Sequence, residues 1–81
     1  WPGEIVHEMG HFLNDYLGMY SSRPENKEIY TTESSKISCY AKENDREFFA
    51  EAFRIYVLES QLIRAISQDI FNMICSSICL I

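Results

Sequence analysis

The reading turns on the stretch Glu4-Ile5-Val6-His7-Glu8-Met9-Gly10-His11-Phe12-Leu13-Asn14-Asp15-Tyr16-Leu17, closed by Gly18. Ile5, Met9, Phe12 and Tyr16 recur at intervals of four, three and four, and Val6, Leu13 and Leu17 widen that apolar face. This is the period of an amphipathic helix. It predicts a helix over residues 4–17 whose Ile5–Met9–Phe12–Tyr16 line faces a core, with Trp1-Pro2-Gly3 as its lead-in. Gly18 is expected to stop the helix at C′, where a left-handed conformation suits glycine. Glu4, His7, His11 and Asp15 form a second line on the same helix.

That second line contains His7-Glu8-Met9-Gly10-His11, the pattern His-Glu-x-x-His. Two imidazoles four residues apart project from one helical face and can share one Zn²⁺ at about 2.0–2.1 Å. The glutamate between them lies about 100° further round the helix, too far to ligate with ease but able to reach a water on the ion. Zinc lowers the pKa of such a water towards about 7, and a carboxylate can take its proton. The competing reading is two surface histidines beside a carboxylate. The pattern uses both histidines of the chain and falls on a helix, as the mechanism requires.

Working outward, residues 19–43 are less regular. Ser21-Ser22-Arg23-Pro24-Glu25-Asn26 reads as a turn, and Ile29-Tyr30-Thr31-Thr32 has the β-favouring residues of a short strand. A connection this long predicts a flap, or a loop that takes its order from other parts of a protein. Asn44 or Asp45 would cap a second helix over 44–58. On it Phe49, Phe53 and Tyr56 make one apolar line and Phe48, Ala52 and Ile55 the next, while Glu47 and Glu51, four apart, point the same way. A further helical segment covers 60–81, with a break near Ser67–Asp69.

The 81 residues allow one domain at most, and 47% hydrophobic content excludes a disordered segment. A core this small is often supplemented by a metal or disulfides. The start at Trp1 reads as a piece of a longer protein. The net charge of −5, with no basic cluster, argues against nucleic acid and against an anionic membrane surface. The most apolar stretch, residues 70–81, is too short to span a bilayer, which takes about 20 residues, so no transmembrane segment is expected. Three cysteines (Cys39, Cys75 and Cys79) do not make a complete disulfide framework and read as buried structural thiols.

A catalytic zinc site needs a third protein ligand and an open position. A third histidine one turn further would need Gly at position 14 and His at 17, where Asn14 and Leu17 stand. No cysteine lies near the first helix in sequence, which leaves a carboxylate. Glu47 is the best placed, in the first turn of a helix that would pack on the first, and Glu51 could orient a ligating imidazole through its second N–H. Both read equally well as a solvated helix face.

The segment from Ser38 to Arg54, above all Glu47-Phe48-Phe49-Ala50-Glu51-Ala52-Phe53-Arg54, resembles the anthrax lethal factor-like zinc metallopeptidase family, which also contains the Pro-Pro endopeptidases. His7 to His11, followed by Asp15-Tyr16 and Gly18, is similar too, so the resemblance runs from about Val6 to Val57. It implies that His7, His11 and Glu47 ligate one Zn²⁺. It implies that Glu8 is general base and then acid, that Tyr40 donates its hydroxyl to the oxyanion, and that Glu51 stands behind the ligands. It further implies a secreted or extracellular, toxin-like endopeptidase acting on a peptide or protein substrate. The fold it implies is mainly α: the C-terminal helical part of an α+β zincin domain, its sheet largely outside the chain. The 81 residues would then be a partial catalytic domain, with a motif helix (4–17), a flap (19–43), a ligand helix (44–58) and a C-terminal helical segment (60–81). The stretch between Gly18 and Tyr40 is shorter than in the family's namesake, so substrate preference does not carry over. The alternative is a domain of the same fold that binds zinc, a receptor or a partner without cleaving.

Overall fold

The first helix ends as its sequence spells out. In the computed structural model, which describes residues 2–81, α1 spans Gly3–Tyr16, with Pro2 as its extended N-cap. Gly18 adopts φ +71 and Met19 φ +63. The Gly18 N–H donates to the Asp15 carbonyl at 3.0 Å and the Met19 N–H to the Asn14 carbonyl at 2.8 Å. These are the paired bonds of a Schellman ending, which satisfy carbonyls the helix would otherwise orphan. Of the lead-in, Trp1 lies outside the described residues.

The chain then runs through a 3-10 turn (Tyr20–Ser22) into α2 (Pro24–Glu33), and through further 3-10 turns (Ser34–Lys36 and Tyr40–Lys42) into α3 (Asp45–Leu58), α4 (Ser60–Ile66) and α5 (Gln68–Cys79). The architecture is mainly α, with no strand among the described residues. The expected strand at Ile29–Thr32 is therefore helix, as is much of the expected flap. Pro24 at the first helical position presets φ for a helix. The Thr31 and Thr32 hydroxyls donate back to the Lys27 and Glu28 carbonyls at 3.0 and 3.1 Å, which fits β-branched residues into a helix. Tertiary bonds complete the override. Asn26 Nδ2 donates to the Tyr20 carbonyl at 2.8 Å, and the Tyr30 hydroxyl to the Lys42 carbonyl at 2.8 Å.

α3 is the centre of the core. Phe48, Phe49, Ala50, Ala52 and Phe53 are buried along it. Val6 and Leu13 of α1 meet them, with Ile63 of α4 and Ile70, Met73 and Ile74 of α5. Asn44 caps α3, its Oδ1 accepting from the Glu47 N–H at 2.9 Å. Ser67 makes the break between α4 and α5, its Oγ accepting from the Ile70 N–H at 3.2 Å.

The buried face of α1 differs from the expected one. Val6, Gly10, Leu13 and Asn14 are buried, whereas Ile5, Met9, Phe12 and Tyr16 are exposed, Phe12 at 72%. The two lines lie about 100° apart round the helix. Packing is decided by which line lets α3 come close, and Gly10 belongs to the Val6–Leu13 line. The cysteines also depart from expectation. All three are free, with Cys39 and Cys79 exposed and Cys75 half-buried. The buried-thiol reading fails for the first two because Cys39 lies in a surface turn and Cys79 on the last residue of α5.

Candidate metal centre

A glycine sets the distance at which the site is built. A Cβ on Gly10 would lie 2.9 Å from Ala50 Cα, 3.1 Å from Phe53 Cβ and 3.2 Å from the Ala50 carbonyl oxygen. Only hydrogen fits there, so α1 and α3 approach more closely than side chains normally allow. A mid-helix glycine costs roughly 0.5–1 kcal/mol relative to alanine, and this contact is its structural reason. At this crossing His7 and His11, on one side of Gly10, face the first turn of α3.

Glu47 is the third residue of that turn. Its Oε1 lies 3.1 Å from His7 Nε2 and its Oε2 3.0 Å from His11 Nε2. The three residues offer ligand atoms that all lie within 4.8 Å of one another. On the far side of His7, Nδ1 donates to Glu51 Oε2 at 2.7 Å. Arg54 grips that same carboxylate with two bonds, Nε to Oε2 at 3.1 Å and Nη2 to Oε1 at 3.0 Å. The His7 ring stands edge-on to His11 at 4.9 Å and to Tyr40 at 5.7 Å. Tyr40, which opens the last 3-10 turn before α3, is exposed.

The donor set fits a cation. A carboxylate only accepts, so His7 Nδ1 carries its hydrogen towards Glu51. A neutral ring then presents a lone pair at Nε2, facing an oxygen of Glu47 at 3.1 Å. Two lone pairs at that distance need a proton or a metal ion between them. Neutral imidazole nitrogens and a carboxylate, with a carboxylate behind one imidazole, make the ligand chemistry that zinc favours. Neighbouring ligand atoms on a tetrahedral zinc stand about 3.3 Å apart, close to the spacing Glu47 already keeps from each imidazole.

Burial works against the charge on Glu47, but His11 and then His7 outweigh it and hold the carboxyl below its ordinary range. Burial also opposes charge on Glu51, and is outweighed by the Arg54 fork and His7. The Glu47 charge pushes the Tyr40 hydroxyl up, so it remains a donor. Both carboxylates are therefore held in their anionic, acceptor form.

A wide groove of about 1180 Å³ opens over this arrangement, with Glu4, His7, Glu8, Tyr40, Glu51 and Arg54 among its lining. Glu8 is exposed on its wall and is not one of the three converging donors. All six residues singled out by sequence reasoning (His7, Glu8, His11, Tyr40, Glu47 and Glu51) thus lie in or beside one site. Gly10 and Arg54 were missed as site residues. The signal for Gly10 was a glycine inside a helical pattern. Arg54 stands three residues after Glu51, a spacing common for pairs on any helix surface.

The family model for "Anthrax toxin lethal factor, N- and C-terminal domain" matches residues 3–75. The chain belongs to this family. Lethal factor of Bacillus anthracis is 34% identical over an alignment of 60 residues; the match covers 63% of the chain and 7% of that protein. The chain thus spans a small part of its lethal factor relative. No solved structure matches it. The family's description covers both end domains of the toxin, so membership alone does not assign the catalytic one.

Proposed function

We propose that this chain is the metal-holding helical part of a lethal factor-like zinc metallopeptidase domain, of gluzincin type, that hydrolyses peptide bonds. The observation that carries the proposal is the convergence of His7 and His11 of α1 with Glu47 of α3, 40 and 36 residues further along the chain, onto one cluster of donors. In this reading His7, His11 and Glu47 hold one Zn²⁺. When bound, the ion supplies Lewis-acid polarisation and brings the pKa of water towards about 7.

The chain's own groups do the rest. Glu8, on the groove wall, accepts the proton of the attacking water and returns it to the leaving amine. Tyr40 donates its hydroxyl to the carbonyl oxygen as charge develops there, a contribution of about 3–4 kcal/mol where such donors have been removed. Glu51 fixes the His7 tautomer so that Nε2 presents its lone pair to the ion. The substrate is a peptide or protein lying in the groove. Kinship with a toxin family makes secretion and an extracellular or host-cell site of action part of the proposal.

The test uses the full-length natural polypeptide. It should bind about one Zn²⁺ per chain and cleave members of a diverse peptide library. Glu8→Gln should keep the zinc and lose cleavage by at least the factor of about 10²–10⁴ that general acid–base catalysis contributes. Cleavage that survives in Glu8→Gln overturns the mechanism. Zinc binding without cleavage of any peptide would mark the domain as a non-catalytic relative.

A further inference from the structure

Besides His7, Glu51 has a second partner that the ligand scheme does not use, the Arg54 guanidinium. Resting on the metal-centre reading above, we infer that Arg54 is a positioning residue: its two-bond fork locks the Glu51 carboxylate in the plane from which Oε2 meets His7 Nδ1, and so tunes zinc affinity through His7.

The geometry is specific. Glu51 presents two oxygens, and Arg54 takes both, through Nη2 on Oε1 and Nε on Oε2. Two parallel bonds fix both the position and the rotation of a carboxylate, which one bond cannot do. Oε2 retains acceptor capacity, and His7 Nδ1 occupies it at 2.7 Å, the shortest contact in the cluster. Both partners are largely shielded, with the Glu51 side chain 12% and the His7 side chain 13% exposed. The arginine side chain, 33% exposed, also has a neighbour in α1. A Cβ on Gly3 would touch Arg54 Cδ at 3.5 Å, so the start of α1 lies along this side chain. Arg54 therefore ties the beginning of α1 to the carboxylate that orients the first imidazole of the same helix.

Its charge has a second consequence. Glu47 and Glu51 stand one turn apart on α3, two anions beside one imidazole. Without Arg54, Glu51 would be free to rotate away from Glu47 and release Nδ1. With Arg54, the second anion is balanced on the side remote from the ion, and His7 keeps one tautomer. The role requires a planar fork, so lysine, a point charge with a different reach, is not an equivalent.

Zinc affinity, measured by chelator competition on the full-length natural polypeptide, tests this without reference to catalysis. Arg54→Met, which keeps much of the stem, is expected to weaken zinc about 10–100-fold, the range seen when such outer partners are removed. Glu51→Gln should weaken it similarly. The double variant should be no weaker than Glu51→Gln alone, because Arg54 acts through Glu51. Arg54→Lys should fall between wild type and Arg54→Met. Far-UV circular dichroism and apo-protein melting accompany each variant, and if Arg54→Met fails to fold, Arg54→Lys and its double variant with Glu51→Gln decide the matter. Unchanged affinity in Arg54→Met, wild-type affinity in Arg54→Lys, or additive losses in the double variant each overturn the inference while leaving the metal centre standing. Wild-type protein that takes up no zinc overturns the metal-centre reading, and this inference with it.

Discussion

The α1–α3 crossing and the connection that joins the two helices share one core but differ in what fixes their geometry. The crossing is held by apolar contact and by the absence of a side chain at Gly10. The connection, residues 17–44, packs Tyr20, Tyr30 and Ala41 on the same core and adds a set of individual polar bonds: Asn14 to Ser21, Asn26 to the Tyr20 carbonyl, Tyr30 to the Lys42 carbonyl and Ser22 to Asp45. The first sets the spacing between donors on two rigid helices, where a few tenths of an ångström matter. The second delivers Tyr40 to the edge of His7 and returns the chain to α3. The proposed metal ligands therefore depend on the helix–helix spacing, whereas the proposed oxyanion donor depends on both the packing and the polar bonds of the connection.

The crossing is most vulnerable at Gly10. Gly10→Val puts a branched side chain where even a Cβ would sit 2.9 Å from the Ala50 backbone. Over-packing typically costs about 1–3 kcal/mol and more where backbone must move, so this variant should lose at least about 3 kcal/mol in denaturant unfolding. Its zinc affinity should collapse as well, because Glu47 moves away from both histidines with α3. Wild-type stability in Gly10→Val would show that the helices are not held at contact distance.

Next in size comes the connection. Asn14 is buried, and its amide exchanges two bonds with Ser21, one of them from the Ser21 N–H at 2.7 Å. Asn14→Ala strands that buried donor, which costs about 1–3 kcal/mol. Stability should fall by roughly 2 kcal/mol, while the folded protein keeps its zinc affinity, since neither His7 nor Glu47 is touched. Loss of zinc on the scale of Gly10→Val would erase the distinction between the two regions.

The same contrast explains what could be read in the sequence. Helix ends with local chemistry were legible: Gly18 at C′, Asn44 as N-cap, the break at Ser67. Of the candidate donor cluster, His7 and His11 were legible from their spacing along one helix, and Glu47 was proposed from elimination and resemblance. The core face of α1 was not. Ile5–Met9–Phe12–Tyr16 is the more hydrophobic line, but the choice between lines is made by a glycine, which adds nothing to an apolar count. Nor was α2 legible, because Thr31 and Thr32 favour strands in isolation. The bonds that override them link Asn26 and Tyr30 to carbonyls of Tyr20 and Lys42, six and twelve residues away. Arg54 escaped notice for a related reason, since its meaning lies in the third group, His7, which arrives from another helix.

The smallest effect separates two roles of one hydroxyl. Ser67 Oγ accepts from the Ile70 N–H as the cap of α5 and donates to Glu33 Oε1 at 2.6 Å, tying α5 to the end of α2. Ser67→Ala should cost about 1 kcal/mol at neutral pH, the usual worth of a cap. The two roles differ in pH dependence. The Ser67 hydroxyl first, and Lys36 second, hold the Glu33 carboxyl below its ordinary value of 4.5. A carboxyl depressed by folding stabilises the fold above its unfolded value, and that contribution is lost as the pH falls through the folded one. The cap bond has no such dependence. The gap in unfolding free energy between wild type and Ser67→Ala should therefore narrow between pH 7 and about pH 3 without closing. A gap equal at both pH values would mean that Ser67 acts on α5 alone, and that the link from α5 to the connection contributes nothing to the fold.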